Sequence, residues 1–277
     1  MNYPLGWVRD FPDPRDFDID HDNVKPFLLK CKALGDVEGK ALPGSYDINE
    51  YTELPQIKDQ GNIGSCTSLA GVFMYETYLR VANLSKGTLS RRFLYKVTRD
   101  LLGWKGDTGA YLRTVMQALA TFGVPPENYY PYDIAKYDEE PGAFLYAMAQ
   151  NYQALTYYKL GNADVEAALA SMKLNISSNR ACIFGFTIYT NMNNSGDIAL
   201  PDKLSSVRGG HAVCAVGYND GYKIGSSVGA FKIANSWGSI WGHSGFAYLP
   251  YDYFRRGLAS DVWAMMTGEW LGYECFK

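Results

Sequence analysis

One cysteine, one histidine and one asparagine stand in an order that could support nucleophilic catalysis by a thiol. Cys66 begins a segment with apolar residues at helical spacing, directly after a glycine-containing loop. His211 follows 145 positions later within an apolar run, and Asn235 follows His211 by 24 positions. Such a separation is typical of a cysteine and a histidine that meet only in the folded chain.

These residue types would supply each part of a thiol-based reaction. A free thiol is only a few per cent ionised at neutral pH, but a helix N-terminus and an adjacent imidazolium both lower its pKa. Cys66 and His211 would meet both conditions. Asn235 would orient the histidine by hydrogen bonding its second ring nitrogen. The backbone N–H of Cys66 and the side-chain amide of Gln60 are the candidate donors to an oxyanion.

The first half of the chain is predicted to be helical and the second half to form strands, which indicates an α+β fold with two lobes. Apolar spacing and capping signals predict the helices, and runs of β-branched and aromatic residues between Gly, Asn and Asp turns predict the strands. Four helices are predicted. One begins at Cys66, one runs from its cap at Ser90 to about Leu102, one runs from about Ala110 to Phe122, and a weaker one runs from Asn162 to Leu174. The predicted strands are ACIFGFTIY, HAVCAVGYN, AFKIANSW and GFAYLPY.

Composition and charge exclude several classes of function. The net charge is −3, and no run of Lys and Arg suggests a nucleic acid or an anionic membrane as a partner. No apolar stretch reaches the roughly 18 residues of a membrane span. The five cysteines form no CxxC, and His21 and His243 are isolated, so neither a metal site nor a cofactor is predicted.

The cysteine pattern also bears on compartment. Cys182 and Cys214 lie in apolar runs and are predicted to be core residues, which leaves no disulfide framework. The N-terminus lacks the pattern of a secretory signal. We therefore expect a reducing compartment, the cytoplasm, or export by a route without a recognisable signal peptide.

Residues 1–41 differ from the rest of the chain. Six aspartates lie between Asp10 and Asp22, and the segment lacks the apolar periodicity to build a core of its own. Trp7, Phe11 and Phe17 could anchor it to another surface. The hypothesis is an autoinhibitory arm, bound in cis along the cleft; the alternative is a solvated acidic tail.

Three segments resemble the active-site motifs of the papain family of cysteine peptidases: QGNIGSC ending at Cys66, GGHAV around His211, and ANSWG with a following WG around Asn235. The resemblance extends from about Leu42 to the C-terminus. It implies a papain-like domain over 42–277, with a helical lobe at about 60–150 and an antiparallel β lobe at about 151–277. An extended polypeptide substrate would bind in the cleft between the lobes, with no cofactor or metal.

The resemblance also implies which residues bind substrate. Asp107, Thr108 and Gly109 stand where the family binds substrate backbone, and Gly210 and Trp237 flank the predicted histidine and asparagine. The tryptophan is expected mainly to pack around the His–Asn pair and shield it from water.

Departures from the family pattern point to a prokaryotic or viral branch. Ile63 replaces a disulfide-forming cysteine and Thr67 replaces a tryptophan, and the N-terminal segment is short. The function predicted is an endopeptidase that hydrolyses peptide bonds through a Cys66 thioacyl intermediate. Two alternatives stay open: a catalytically silent peptide-binding relative, and an acyltransferase in which an amine replaces water.

Overall fold

Helices from the first half of the chain pack beside one large sheet from the second half. The computed structural model describes residues 3–30, 41–84, 87–161 and 164–267, so Cys31 and Cys275 lie outside the described residues. This arrangement confirms the α+β prediction. Within the described ranges the helices are α1 (Lys25–Lys30), α2 (Cys66–Val81), α3 (Arg91–Leu101), α4 (Leu112–Thr121), α5 (Ala143–Ala149), α6 (Val165–Ser177) and α7 (Asp252–Arg255).

Helix α2 is the central helix, buried on every side from Cys66 to Leu79. A helix that is apolar all round belongs in the middle of a structure. Helix α3 packs beside it and begins where predicted, since the Ser90 hydroxyl accepts a hydrogen bond from the Phe93 N–H at 3.2 Å.

The sheet is antiparallel throughout the described residues. Its strand order is β2-β7-β3-β4-β5-β6, and β1 pairs with β4. The prediction missed β1, β2 and β7; β7 is buried on both faces, so its sequence lacks the alternation that marks a half-exposed strand. The strands are β1 (Ser45–Asp47), β2 (Ala154–Lys159), β3 (Cys182–Tyr189), β4 (Val207–Ile224), β5 (Ser227–Ala234), β6 (Phe246–Pro250) and β7 (Ala259–Thr267).

Pairing of β4 with its neighbours brings the predicted site residues together. His211 lies in β4 opposite Phe186 of β3. On the other side, Cys214 pairs with Ala234, the last residue of β5, so Asn235 leaves the sheet beside the histidine. Helix α2 packs against β4, which places Cys66 at the same edge.

The N-terminal segment is docked on the rest of the chain rather than solvated. Val24, Leu28 and Trp7 join the hydrophobic core. The segment builds no core of its own but adds these apolar residues to the core of the rest of the chain, so the alternative of a solvated acidic tail was wrong. Phe11 is 81% exposed and is not an anchor, whereas Phe17 is partly buried.

The two histidines outside the predicted site have different environments. His243 is exposed. His21 is half-buried, because its ring stacks on Phe17 at a centroid distance of 4.0 Å.

Candidate active site

Cys66 is the first residue of α2 and is fully buried. The first N–H groups of a helix have no partner within the helix and carry a partial positive charge, which favours a thiolate at this position. The preceding Ser65 does not cap the helix through its side chain. Its hydroxyl lies 2.6 Å from the Tyr132 hydroxyl instead, which leaves the helix start open toward the sulfur.

His211 and Asn235 form a buried pair. The Nε2 atom of His211 lies 2.7 Å from the Asn235 Oδ1 atom. The amide oxygen can only accept, so Nε2 carries the proton and Nδ1 is left as the free lone pair. Among the described residues Nδ1 has no hydrogen-bond partner. The Trp237 ring stacks on the imidazole at 4.6 Å, which shields the His–Asn bond from water as predicted.

Gln60 connects the loop before Cys66 to the turn that carries Asn235. Its Oε1 atom accepts a hydrogen bond from the Ser236 hydroxyl at 2.7 Å, and its backbone N–H donates to the Ser236 carbonyl at 2.9 Å. These bonds orient the Gln60 amide, whose Nε2 atom donates to the Ile63 carbonyl at 2.9 Å and to the Pro4 carbonyl of the N-terminal segment at 3.0 Å. Sequence reasoning did not identify Ser236 as an orienting residue, although it lies within the NSWG motif.

Burial under the N-terminal segment opposes ionisation of the predicted nucleophile and base. Desolvation raises the pKa of the Cys66 thiol to about 11, although backbone N–H groups of Ala212 and Gly6 act in the opposite direction. Desolvation also lowers the pKa of His211 to about 4, against the effect of its bond to Asn235. The sequence predicted a lowered thiol pKa; in this covered arrangement both groups are neutral, because water is excluded from them.

Two residues of the predicted substrate-binding loop, Asp107 and Thr108, make hydrogen bonds within the protein. The Asp107 carboxylate accepts hydrogen bonds from the Gly64 N–H at 2.8 Å and the Tyr95 hydroxyl at 2.5 Å, so it holds the loop before Cys66. The Thr108 hydroxyl donates to the carbonyl of Gly109, its own neighbour, at 3.2 Å. Asp107 and Thr108 therefore shape the loop in this arrangement.

Gly109 and its neighbour Ala110 line the cleft directly. Gly109 has a φ of +71°, and a Cβ there would lie 2.2 Å from the carbonyl oxygen of Gly6. The Ala110 N–H donates to that oxygen at 2.8 Å, and the Ala110 carbonyl accepts from the Val8 N–H at 3.1 Å. The sequence analysis missed Ala110, which only its position after Gly109 could have suggested.

The N-terminal segment runs across the whole site. Tyr3 stacks on Trp237 with ring centroids 4.5 Å apart, and the Pro4 carbonyl accepts a hydrogen bond from Gln60 Nε2 at 3.0 Å. Further along, the Trp7 N–H donates to the Gly210 carbonyl at 3.1 Å. The predicted residues Gln60, Gly210 and Trp237 are thus brought together, and all three contact this segment.

Neither a metal centre nor a membrane span is found in the part of the chain that the structure describes. There, no group of three or more His, Cys, Asp or Glu side chains could hold a metal ion. Over the same ranges, no helix has both the length and the apolar character needed to cross a bilayer.

Comparisons with known proteins agree with this geometry. A model of the family described as papain family cysteine protease matches residues 42–266. An uncharacterized peptidase C1-like protein of Acanthamoeba polyphaga mimivirus is 30% identical over 274 residues, which span 94% of this chain and 85% of that protein. Papain from Carica papaya is 26% identical over 218 residues, 73% of this chain and 55% of that protein.

A bacterial structure is similar over nearly the whole length. Xylellain, a cysteine protease from Xylella fastidiosa, superposes with a TM-score of 0.77 at 29% identity and covers 96% of both chains. Similarity to viral and bacterial proteins is what the departures at Ile63 and Thr67 indicated. The family match spans most of the chain and the fold agrees with it, so this protein belongs to the papain family of cysteine proteases.

Proposed function

We propose that the protein is a cysteine endopeptidase with Cys66, His211, Asn235 and Gln60 as its catalytic residues, and that residues 3–30 inhibit it in cis. The observation that carries this proposal is the path of the N-terminal segment. It crosses the cleft over the buried thiol and is hydrogen bonded to the walls on both sides.

The proposed reaction uses each residue at a defined step. The Cys66 thiolate attacks the scissile carbonyl carbon, and the oxyanion accepts hydrogen bonds from the Cys66 N–H and the Gln60 amide. The His211 imidazolium donates its proton to the leaving amine as the C–N bond breaks. Water then attacks the thioester while His211 accepts a proton, and the C–S bond breaks to release the acid. Asn235 holds the imidazole in place throughout.

The cleft takes a chain that continues on both sides of Cys66, which supports an endopeptidase. Tyr3 and Pro4 lie toward Trp237 on one side, and Trp7 and Val8 lie along Gly210 and Ala110 on the other. An exopeptidase needs a group that stops the chain at one end of the cleft. In the described residues the segment passes from one end to the other as continuous backbone.

The segment occupies groups that the reaction needs. The Pro4 carbonyl occupies an N–H of Gln60 that the oxyanion would need. The backbone N–H of Gly6 lies near the Cys66 sulfur and opposes the rise in the pKa of the thiol. A substrate cannot reach the sulfur until this stretch withdraws.

Ion pairs hold the segment where it leaves the cleft. Arg113 of α4 lies 2.6 Å from the Asp10 carboxylate and 2.7 Å from the Asp16 carboxylate. Lys159 lies 3.4 Å from Asp16 on its other side. All four side chains are at least three-quarters buried, so these pairs are screened less by solvent than surface pairs.

In the open cleft, we assign substrate backbone contacts to Gly109 and Gly210, which now contact the N-terminal segment. Trp237 offers the flat apolar surface on which Tyr3 stacks. Asp107 and Thr108 act indirectly by holding the loop that carries Gly109.

Labelling with a thiol-directed peptidyl epoxide, read by intact-mass spectrometry and peptide mapping, tests both parts. Gly6→Val displaces the segment from the cleft, because a Cβ at Gly6 would lie 1.7 Å from the Gly64 carbonyl oxygen. Gly44→Ala is the matched control, since nothing lies within 4 Å of the added atom. We expect rapid labelling at Cys66 in Gly6→Val only, and a loss of about 1,000-fold when His211→Ala is added.

The possible outcomes distinguish the catalytic assignment from inhibition by the N-terminal segment. Labelling of Cys66 that is no faster than labelling of Cys182 in Gly6→Val would refute the catalytic assignment. Equal rates in the unchanged protein and in Gly6→Val would refute inhibition alone. Cleavage of peptides blocked at both termini distinguishes an endopeptidase from an exopeptidase.

A further inference from the structure

A short loop joins the two groups proposed to stabilise the oxyanion. Gln60 supplies its side-chain amide at one end and Cys66 supplies its backbone N–H at the other, with residues 61–65 between them. Such donors act when they lie about 2.7–3.1 Å from the oxyanion, so their spacing must be fixed. Two of the five intervening residues are glycines, which restrain the backbone least. The loop therefore needs support from outside itself.

One tyrosine hydroxyl ties the two ends of this loop together. The Tyr132 hydroxyl lies 2.8 Å from the Gln60 carbonyl oxygen and 2.6 Å from the Ser65 hydroxyl. A carbonyl oxygen can only accept, so Tyr132 donates its one proton to Gln60 and accepts the proton of Ser65. Gln60 and Ser65 are both fully buried, and Ser65 directly precedes Cys66. The bridge therefore links the backbone at one oxyanion donor to the residue beside the other.

The tyrosine is itself held in place from a second side. The guanidinium of Arg91, the first residue of α3, lies 4.2 Å from the centroid of the Tyr132 ring. Arg91 Nε in turn donates to the Glu127 carboxylate at 3.0 Å. Burial raises the pKa of Tyr132 to about 12, so the hydroxyl keeps its proton throughout the neutral range. The ring and the hydroxyl of Tyr132 are thus both fixed.

Ser65 uses its hydroxyl for this bridge at the expense of a more usual contact. It is the N-cap residue of α2, yet its side chain makes no capping hydrogen bond. A serine at an N-cap ordinarily accepts a hydrogen bond from the second or third N–H of the helix. The contact with Tyr132 replaces that bond, so the side chain fixes the loop instead of the helix end.

We infer that, in the peptidase proposed above, Tyr132 is a positioning residue for the oxyanion site. It holds the Gln60 amide and the Cys66 N–H at the spacing that the tetrahedral intermediate requires. Ser236 donates to the Gln60 side chain from the opposite lobe at 2.7 Å, and Tyr132 donates to its carbonyl from the helical lobe. The inference rests on the proposed function, and it assigns Tyr132 to the steps in which an oxyanion forms.

The test uses the Gly6→Val background, in which the N-terminal segment is displaced. Tyr132→Phe removes the hydroxyl and keeps the ring beside Arg91. Peptides blocked at both termini give kcat and KM. A peptide aldehyde reports on the oxyanion site, because a C–S bond forms with Cys66 and the aldehyde oxygen receives the thiol proton at the position of the oxyanion. Iodoacetamide reports on the thiol alone, since a C–S bond forms and iodide leaves without any oxyanion.

We expect Tyr132→Phe to lower kcat by about 10- to 100-fold and to weaken aldehyde binding by at least about tenfold. KM and the rate of alkylation by iodoacetamide should change by less than about twofold, because neither depends on the oxyanion. Ser65→Ala removes only one arm of the bridge and should lower kcat by about 3- to 10-fold. Thermal unfolding verifies that each variant is folded.

Tyr46→Phe is the matched control. It also removes a half-buried tyrosine hydroxyl, which donates to the Asn179 Oδ1 atom at 3.0 Å, and Tyr46 pairs with Tyr218, seven residues along β4 from His211. This variant should leave kcat and aldehyde binding unchanged.

Two results would overturn the role of Tyr132 and leave the peptidase standing. One is unchanged kcat and aldehyde binding in both Tyr132→Phe and Ser65→Ala. The other is an equal loss of aldehyde binding and of alkylation rate, which would mean that Tyr132 acts on the thiol. A reactive Cys66 in Gly6→Val with no cleavage of any peptide would instead overturn the proposed function itself.

Discussion

The N-terminal segment has two parts that are held in different ways. The cleft part, residues 3–11, is held mainly by backbone hydrogen bonds and close approaches to glycines. The anchor part, residues 12–30, places Val24 and Leu28 in the core, with exposures of 0% and 1%. Its backbone also joins the sheet edge, where the Lys159 N–H donates to the Phe17 carbonyl at 2.7 Å.

This difference separates inhibition from stability. Withdrawal of the cleft part exposes the site and costs the apolar contacts of Trp7 and Tyr3 together with the Asp10–Arg113 ion pair. Withdrawal of the anchor part would expose core residues of the whole protein. We therefore expect activation to move residues 3–11 while residues 12–30 stay docked, and each prediction below tests that division.

Gly6→Val should have the largest effect on the site. The added side chain cannot fit beside Gly64, so the cleft part must leave. If the closed form is populated at about 99%, complete release raises the rate of Cys66 labelling about 100-fold. The free energy of unfolding, measured by urea denaturation, should change little. A large loss of stability in this variant would show that the two parts are not separable.

Leu28→Ala should lower the free energy of unfolding strongly and change the labelling rate of Cys66 less, which is the reverse of the result expected for Gly6→Val. Removing a fully buried leucine side chain costs about 2–5 kcal/mol of the free energy of unfolding. Urea denaturation measures this loss, and the labelling rate of the folded protein should rise less than in Gly6→Val. Unchanged stability would mean that α1 does not belong to the core.

Arg113→Ala tests the junction between the two parts. It leaves Asp10 and Asp16 without their shared partner in a partly buried site, and the labelling rate should rise about 10- to 30-fold. Arg15→Ala is the control, because the Arg15 side chain is 88% exposed and its ion pair is with Asp13 of the same segment. Equal effects of the two substitutions would refute a specific role for Arg113.

Acidification should have the smallest effect on the cleft part. Burial lowers the pKa of His211 from its ordinary value of 6.5 to about 4 and raises that of the Cys66 thiol to about 11, so both groups are neutral in the covered state. In the proposed open state the thiol proton has moved to His211, so opening takes up no net proton and its equilibrium does not change with pH. The labelling rate of the unchanged protein relative to Gly6→Val should therefore stay flat from pH 7 to pH 5.

A ratio that rises on acidification would show that opening takes up a proton, as it would if His211 became charged while Cys66 stayed a thiol.

Sequence reasoning was most successful where a residue's role depends on its chemical type and near neighbours. The helix start at Cys66 and the cap at Ser90 follow from local signals, and the structure has both. The bond between His211 and Asn235 was expected from chemistry alone and is present at 2.7 Å. Strand β7 was not predictable in the same way, because a strand buried on both faces loses the alternation that identifies it. Strand β4 extends beyond the predicted run at both ends, where its residues are partly or largely exposed.

The N-terminal segment shows the limit of local reasoning. Phe11 and Trp7 are both large and aromatic, yet one is 81% exposed and the other fills a pocket. The difference arises from Gly185 and Gly210, which lie well over 150 residues away in the chain. Nothing near Trp7 in the sequence reveals that space.

By itself, the sequence determined the chemistry of the site and the class of the fold, because few residue types can activate a thiol and helical and strand-like segments are sorted along the chain. Only the tertiary structure decided whether the cleft is covered and whether Cys66 and His211 are ionised. It places residues 3–11 over Cys66, excludes water and keeps Cys66 and His211 neutral. Exposure and desolvation depend on contacts between distant parts of the chain, which no local pattern encodes.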